Sequence, residues 1–262
     1  MLQPIICGLL LTVGLVTAQN GPGKGGHCAE FASFGPKDSL NTADLRLETK
    51  DLRVQVNAKG PELHLQLEPD ASASMSTWKG GTNAASQRVG WIRIFSCETG
   101  ALIQSLEVQS LRSPEWFLRF FEVRDANFDG YLDIAVVVDG GALWGSQVWW
   151  VFSPASGKFI SNKFTEALSR IHGNGLELDA TRHHIIVPIL LGPGRCSRFQ
   201  DIYNVEQSSR LMLIHKEGLT PGLTPTWDPS HSDAVGCTLT TRELVNGQMQ
   251  VTKVEHFPVT AQ

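Results

Sequence analysis

Phe121–Val138 reads FEVRDANFDGYLDIAVVV, and its central loop decides how the rest of the chain is understood. Asp125, Asn127, Asp129 and Asp133 put oxygen-bearing side chains at positions 1, 3, 5 and 9 of that loop. Gly130 stands at position 6 for the sharp turn, and Tyr131 offers a backbone carbonyl at position 7. Ca²⁺ takes about six to eight hard oxygens at about 2.4 Å, and a bend with alternate residues turned inward supplies most of them. Without a cation, three carboxylates held this close repel one another. The loop is therefore expected to bind Ca²⁺ through Asp125, Asn127, Asp129, the Tyr131 carbonyl and Asp133, the alternative being a metal-free hairpin tip. Position 12 is Val136 instead of Glu, and the flanks Trp116–Val123 (WFLRFFEV) and Leu132–Val138 are aromatic and β-branched. Strands on both sides exclude an EF-hand. The second flank, apolar almost without a break, reads as a strand buried on both faces.

Outward from this loop, period-two alternation dominates. Leu45 and Leu47, Val54 and Val56, and Leu63, Leu65 and Leu67 are each separated by single polar residues, the pattern of strands with one buried face. A phrase of strand, Ser-x-x-(Ser/Thr)-Gly turn and strand occurs at Ile92–Ile103 (IRIFSCETGALI) and again at Trp149–Ile160 (WWVFSPASGKFI). Weaker echoes are Val205–Ile214 (VEQSSRLMLI) and Glu243–Val251 (ELVNGQMQV), where Asn246-Gly247 signals a tight hairpin. Their spacing falls from about 57 to about 40 residues, the size of a four-stranded propeller blade. One short helix is expected at Asn162–His172, ended by Gly173. The fold class is mainly β, a propeller-like repeat of antiparallel hairpins, with a β-sandwich as the alternative.

The chain has 262 residues, 42% hydrophobic and 18% charged, with a formal net charge of −4. That apolar content excludes a disordered chain, and the absence of a basic run argues against a nucleic-acid partner. Ile5–Val16 is too short to span a bilayer and ends in Val16-Thr17-Ala18, so residues 1–18 are expected to be a cleaved signal peptide and the protein to be periplasmic or secreted. Residues 19–88 then supply N-terminal β-hairpins and a Ser/Ala/Gly-rich loop (Pro69–Gln87). Residues 89–262 form the calcium-binding region, with 27–88 continuous with it in one domain. Cys28, Cys97, Cys196 and Cys237 form an even set in an oxidising compartment and favour two disulfides. Three pairings are open, with Cys28–Cys97 and Cys196–Cys237 as the working expectation.

Catalytic motifs are weak. Ser76-Thr-Trp-Lys79 fits S-x-x-K, but it lies in a small-residue loop and no K-T-G follows. His183-His184 precedes the apolar run IIVPILL, and neighbours on a strand face opposite sides, so the two do not share a metal. The reading is binding and not catalysis. Candidate contact residues are Trp144 on the loop Gly140–Trp150, Arg195 and Arg198 on a basic loop at Gly192–Phe199, and Tyr203 just beyond it. Of Trp149 and Trp150, one is expected to face the core.

FEVRDANFDGYLDIAVVV resembles the FG-GAP-type calcium loop of integrin-like propeller blades. The succession DANFDGYLDI, WWVFSPASGKF, then Tyr203 followed by RLMLIHKE, is similar to a bacterial family of periplasmic β-propeller proteins that includes calcium-binding lysozyme inhibitors acting as immunity proteins. The likeness spans Val89–Glu217, and the chain lacks a lipoprotein cysteine at its export junction. It implies a propeller-like fold, Ca²⁺ on the residues named above, and a protein partner such as a cell-wall hydrolase. The second reading is an adhesin or carbohydrate-binding module using Trp144, and the third an exported hydrolase.

Overall fold

The computed structural model describes Cys28 and residues 33–34, 40–41, 51–70, 87–110, 121–140, 145–173, 175–190, 198–207, 209–221 and 237–257. They are mainly β and build three sheets. The first contains β1 (Ser33–Phe34), β3 (Asp51–Gln55), β4 (Glu62–Pro69), β5 (Gln87–Ser96) and β6 (Leu102–Ser110). The second contains β2 (Leu40–Asn41), β7 (Phe121–Arg124), β8 (Asp133–Gly140), β9 (Gly145–Ser153) and β10 (Lys158–Ile160). The third runs in chain order through β11 (Glu177–Asp179), β12 (His184–Leu190), β13 (Arg198–Glu206), β14 (Arg210–Pro221), β15 (Cys237–Val245) and β16 (Gln248–Phe257). Pairing is antiparallel apart from β1 beside β3.

The alternation read from the sequence sets the first sheet. Leu52, Val54, Leu63, Leu65, Leu67, Ile92 and Ile94 are fully buried on one face, and register pairs Leu52 with Leu65 and Val54 with Leu63. The other face carries ion pairs between Arg53 and Glu62, His64 and Asp51, and Arg93 and Glu68. On β8 and β9 the alternation disappears, because the second sheet is covered on both sides. Ile134, Val136, Trp150 and Phe152 join the core shared with the first sheet. Ala135, Trp149 and Val151 point the other way, into a second core with Ile185, Val187 and Val205 of the third sheet. Trp149 thus faces the core as one of the pair was expected to, and Trp150 is buried as well, on the opposite side of the sheet. The sheets stack in sequence order with the second in the middle.

The helix α1 (Lys163–Ser169) lies within the stretch expected for it and adds Phe164 and Leu168 to the second core. Asn162 caps it: its side chain accepts from Thr165 N–H, and Thr165 Oγ1 accepts from Asn162 N–H, a reciprocal box that satisfies two otherwise orphaned donors. Both Ser-x-x-(Ser/Thr)-Gly phrases form hairpin turns, with Gly100 at φ 70° and Gly157 at φ 64°. Asn246 (φ 50°) and Gly247 (φ 79°) make the expected tight turn between β15 and β16. Cys28 and Cys97 form a disulfide that ties the start of the described chain to the end of β5. Cys237 is also disulfide-bonded, and its expected partner Cys196 lies outside the described residues. Among the described residues no helix is long and apolar enough to cross a membrane.

Candidate metal centre

The Asp125–Asp133 bend joins β7 to β8, at the junction of all three sheets. Leu132 N–H donates to the carbonyl of Val56, the residue just after β3 of the first sheet (2.7 Å). On the other side the Phe128 ring stacks on His183, in the turn that leads into β12 of the third sheet, with centroids 5.2 Å apart. Phe128 (φ 57°) and Gly130 (φ 86°) both sit in the left-handed region, and the glycine reaches it without steric cost.

Within the bend the side chains of Asp125, Asn127 and Asp129 are drawn together. Asp129 N–H donates to both Asp125 Oδ1 and Asn127 Oδ1 at 3.1 Å. Gly130 N–H donates to Asp125 Oδ2 (2.9 Å), Tyr131 N–H to Asp129 Oδ1 (2.9 Å), and Asn127 Nδ2 to Asp129 Oδ2 (2.9 Å). Asp133 is fully buried behind this group. Its Oδ2 accepts from Ala126 N–H (3.0 Å) and its Oδ1 from Phe152 N–H on β9 (2.9 Å), so one carboxylate closes the loop and clamps it to the neighbouring strand. Tyr131 turns its ring onto Phe152 (5.6 Å), part of the first core. Burial pushes the Asp125 carboxyl above the ordinary carboxylate range, with the Asp129 charge adding to it. Burial lifts Asp133 further still, against the two backbone donors and with the charges of Asp129 and Asp125 pushing the same way. Each of these oxygens that accepts one hydrogen bond keeps a second lone pair, and among the described residues no group of three or more His, Cys, Asp or Glu side chains is placed to hold a metal ion.

No family model, curated protein or solved structure matches the chain.

The other sequence-derived candidates do not gather at this bend. Arg198 is exposed at the start of β13. Tyr203 is half-buried against the second core and hydrogen-bonded to Asp201, and burial with the Asp201 charge pushes its hydroxyl up to about 12. Asp201 itself is buried and paired with Lys216 (3.0 Å). Trp144, Arg195 and the Ser76–Lys79 motif lie outside the described residues. His183 is not on a strand: it ends the turn before β12 at φ 55°, exposed, while His184 begins the strand half-buried. The argument from strand alternation therefore does not apply to this pair.

Beside the bend lies an ionic group of Glu122 and Arg124 that an aromatic and β-branched stretch of sequence does not mark. Phe121 and Val123 face the first core, so the alternate residues Glu122 and Arg124 face the third sheet. Glu122 accepts from Gln147 Nε2 (2.8 Å) and pairs with Arg124 (3.3 Å), whose Nη1 donates to the Leu176 carbonyl at 2.5 Å. Burial raises the Glu122 carboxyl above its ordinary range, only partly offset by Arg124 and Gln147. A carboxyl raised by folding binds its proton more tightly in the native state, so its contribution is greatest at low pH and is lost as pH rises through the folded value. Urea titrations across the acid-to-neutral range should therefore show Glu122→Gln gaining on the wild type as pH rises. A constant difference would count against a native-state proton on Glu122.

Proposed function

We propose that this chain is an exported, calcium-stabilised binding protein whose sheets are blades of a propeller, and that its partner is a lysozyme-like peptidoglycan hydrolase which it inhibits. The observation that carries the calcium reading is the convergence of Asp125, Asn127 and Asp129 side-chain oxygens on one bend, backed by the buried, neighbour-repelled Asp133. A divalent cation supplies the positive charge that offsets this repulsion. Because the bend touches the first and third sheets as well as its own, fixing it stiffens the junction of the stack. The partner reading rests on the likeness of Val89–Glu217 to the periplasmic lysozyme-inhibitor family. Among the described candidates Arg198 is the exposed one, a cation suited to an acidic cleft.

Thermal melts test the metal. Added Ca²⁺ at about a hundred times its dissociation constant is expected to stabilise by about 2.7 kcal/mol, and Asp129→Ala should abolish the shift. A melting temperature indifferent to both calcium and chelator overturns the calcium reading. The partner is tested separately with purified protein in calcium buffer against lysozyme-type hydrolases, where inhibition is expected. Absence of both binding and inhibition removes the partner while leaving the metal standing.

A further inference from the structure

Strand β16 closes one end of the third sheet. Its inner edge pairs with β15, and its outer edge pairs with no other described strand. It is 10 residues long and exposed along nearly its whole length, with Val251 at 54% and Val254 at 50% exposure. The pairing shifts between Thr241 and Arg242: Thr241 faces Lys253 and Arg242 faces Val251, which leaves Thr252 as the extra residue of a bulge. The bulge reverses the alternation, so Val251 and Val254 lie on one face. Lys253 and Glu255 lie on the other, paired at 2.8 Å. A long edge with no neighbour among the described strands presents its backbone donors and acceptors as a template for another strand.

We propose that β16 pairs with β16 of a second copy of this chain, antiparallel and centred on Val254, to form a two-fold dimer with a continuous sheet across the interface. Charge selects both the occupant and the register. Centred on Val254, Lys253 lies opposite Glu255 of the partner subunit, and by symmetry the same pair recurs on the other side of the axis. Centring one residue earlier sets lysine against lysine, and one residue later sets glutamate against glutamate. A parallel in-register copy stacks like charges throughout. The same register brings the two exposed Val254 side chains together across the axis and withdraws them from water.

Light scattering on size-separated protein, over a range of concentrations, should give the mass of a dimer in the wild type. Lys253→Glu should weaken the dimer by about tenfold or more, since it puts like charges opposite each other twice. The double variant Lys253→Glu with Glu255→Lys should restore it. Because Val254 meets its own copy, Val254→Cys should crosslink under mild oxidation. Val251→Cys should not, because in this register the two copies of residue 251 stand about 20 Å apart along the strands. A wild type that stays monomeric overturns the proposal, as does a dimer indifferent to the charge reversal or one that Val254→Cys fails to crosslink.

Discussion

Replacing Asp133 by alanine is expected to cost about 4 kcal/mol of unfolding free energy. The carboxylate is the acceptor for two backbone donors, Ala126 N–H and Phe152 N–H, and all three residues are buried. Truncation strands both donors away from water, at about 1–3 kcal/mol each. Asp133→Asn keeps one carbonyl oxygen as an acceptor and introduces no charge, so it should lose clearly less than the alanine variant. Urea denaturation of the three proteins in chelator, where no metal contributes, reads this ordering. An alanine variant within about 1 kcal/mol of the wild type would mean that the clamp between loop and β9 contributes little.

The second large effect is expected at Trp149. It is 1% exposed and fills the core between the second and third sheets, beside Phe164 and Leu168 of α1. Trp149→Ala should destabilise by about 3–5 kcal/mol, the range for emptying a buried aromatic site. Trp149→Phe should cost much less than its lost volume suggests, because the indole Nε1 is buried without a hydrogen-bond partner among the described residues and the substitution removes that donor. Chemical denaturation separates the outcomes: equal losses for the two variants would show that the indole N–H is satisfied in solution, by water for instance.

Some of this was visible in the chain before any coordinates. Leu52, Val54, Leu63, Leu65 and Leu67 alternate with polar residues and line one face, because a one-sided sheet imposes a period of two on its sequence. Gly100, Gly157 and the Asn246-Gly247 pair marked their turns because positive φ restricts the choice of residue. The Asp/Asn/Gly bend was legible because its spacing is local. Glu122 and Arg124 were not, since nothing in FEVR tells which core each residue faces. The stack of His183 on Phe128 joins residues far apart in sequence, and no periodicity reports such a contact.

By itself, then, the sequence determined the β class, the hairpin turns, a short helix within Asn162–His172 and the oxygen-rich bend, all properties carried by neighbours along the chain. Tertiary structure decided the rest: that the second sheet is covered on both faces, that Trp149 and Trp150 serve different cores, and that Asp133 reaches across to β9. Those outcomes depend on which sheet packs against which, and that is settled by burial of apolar faces between segments distant in sequence, where local spacing carries no signal.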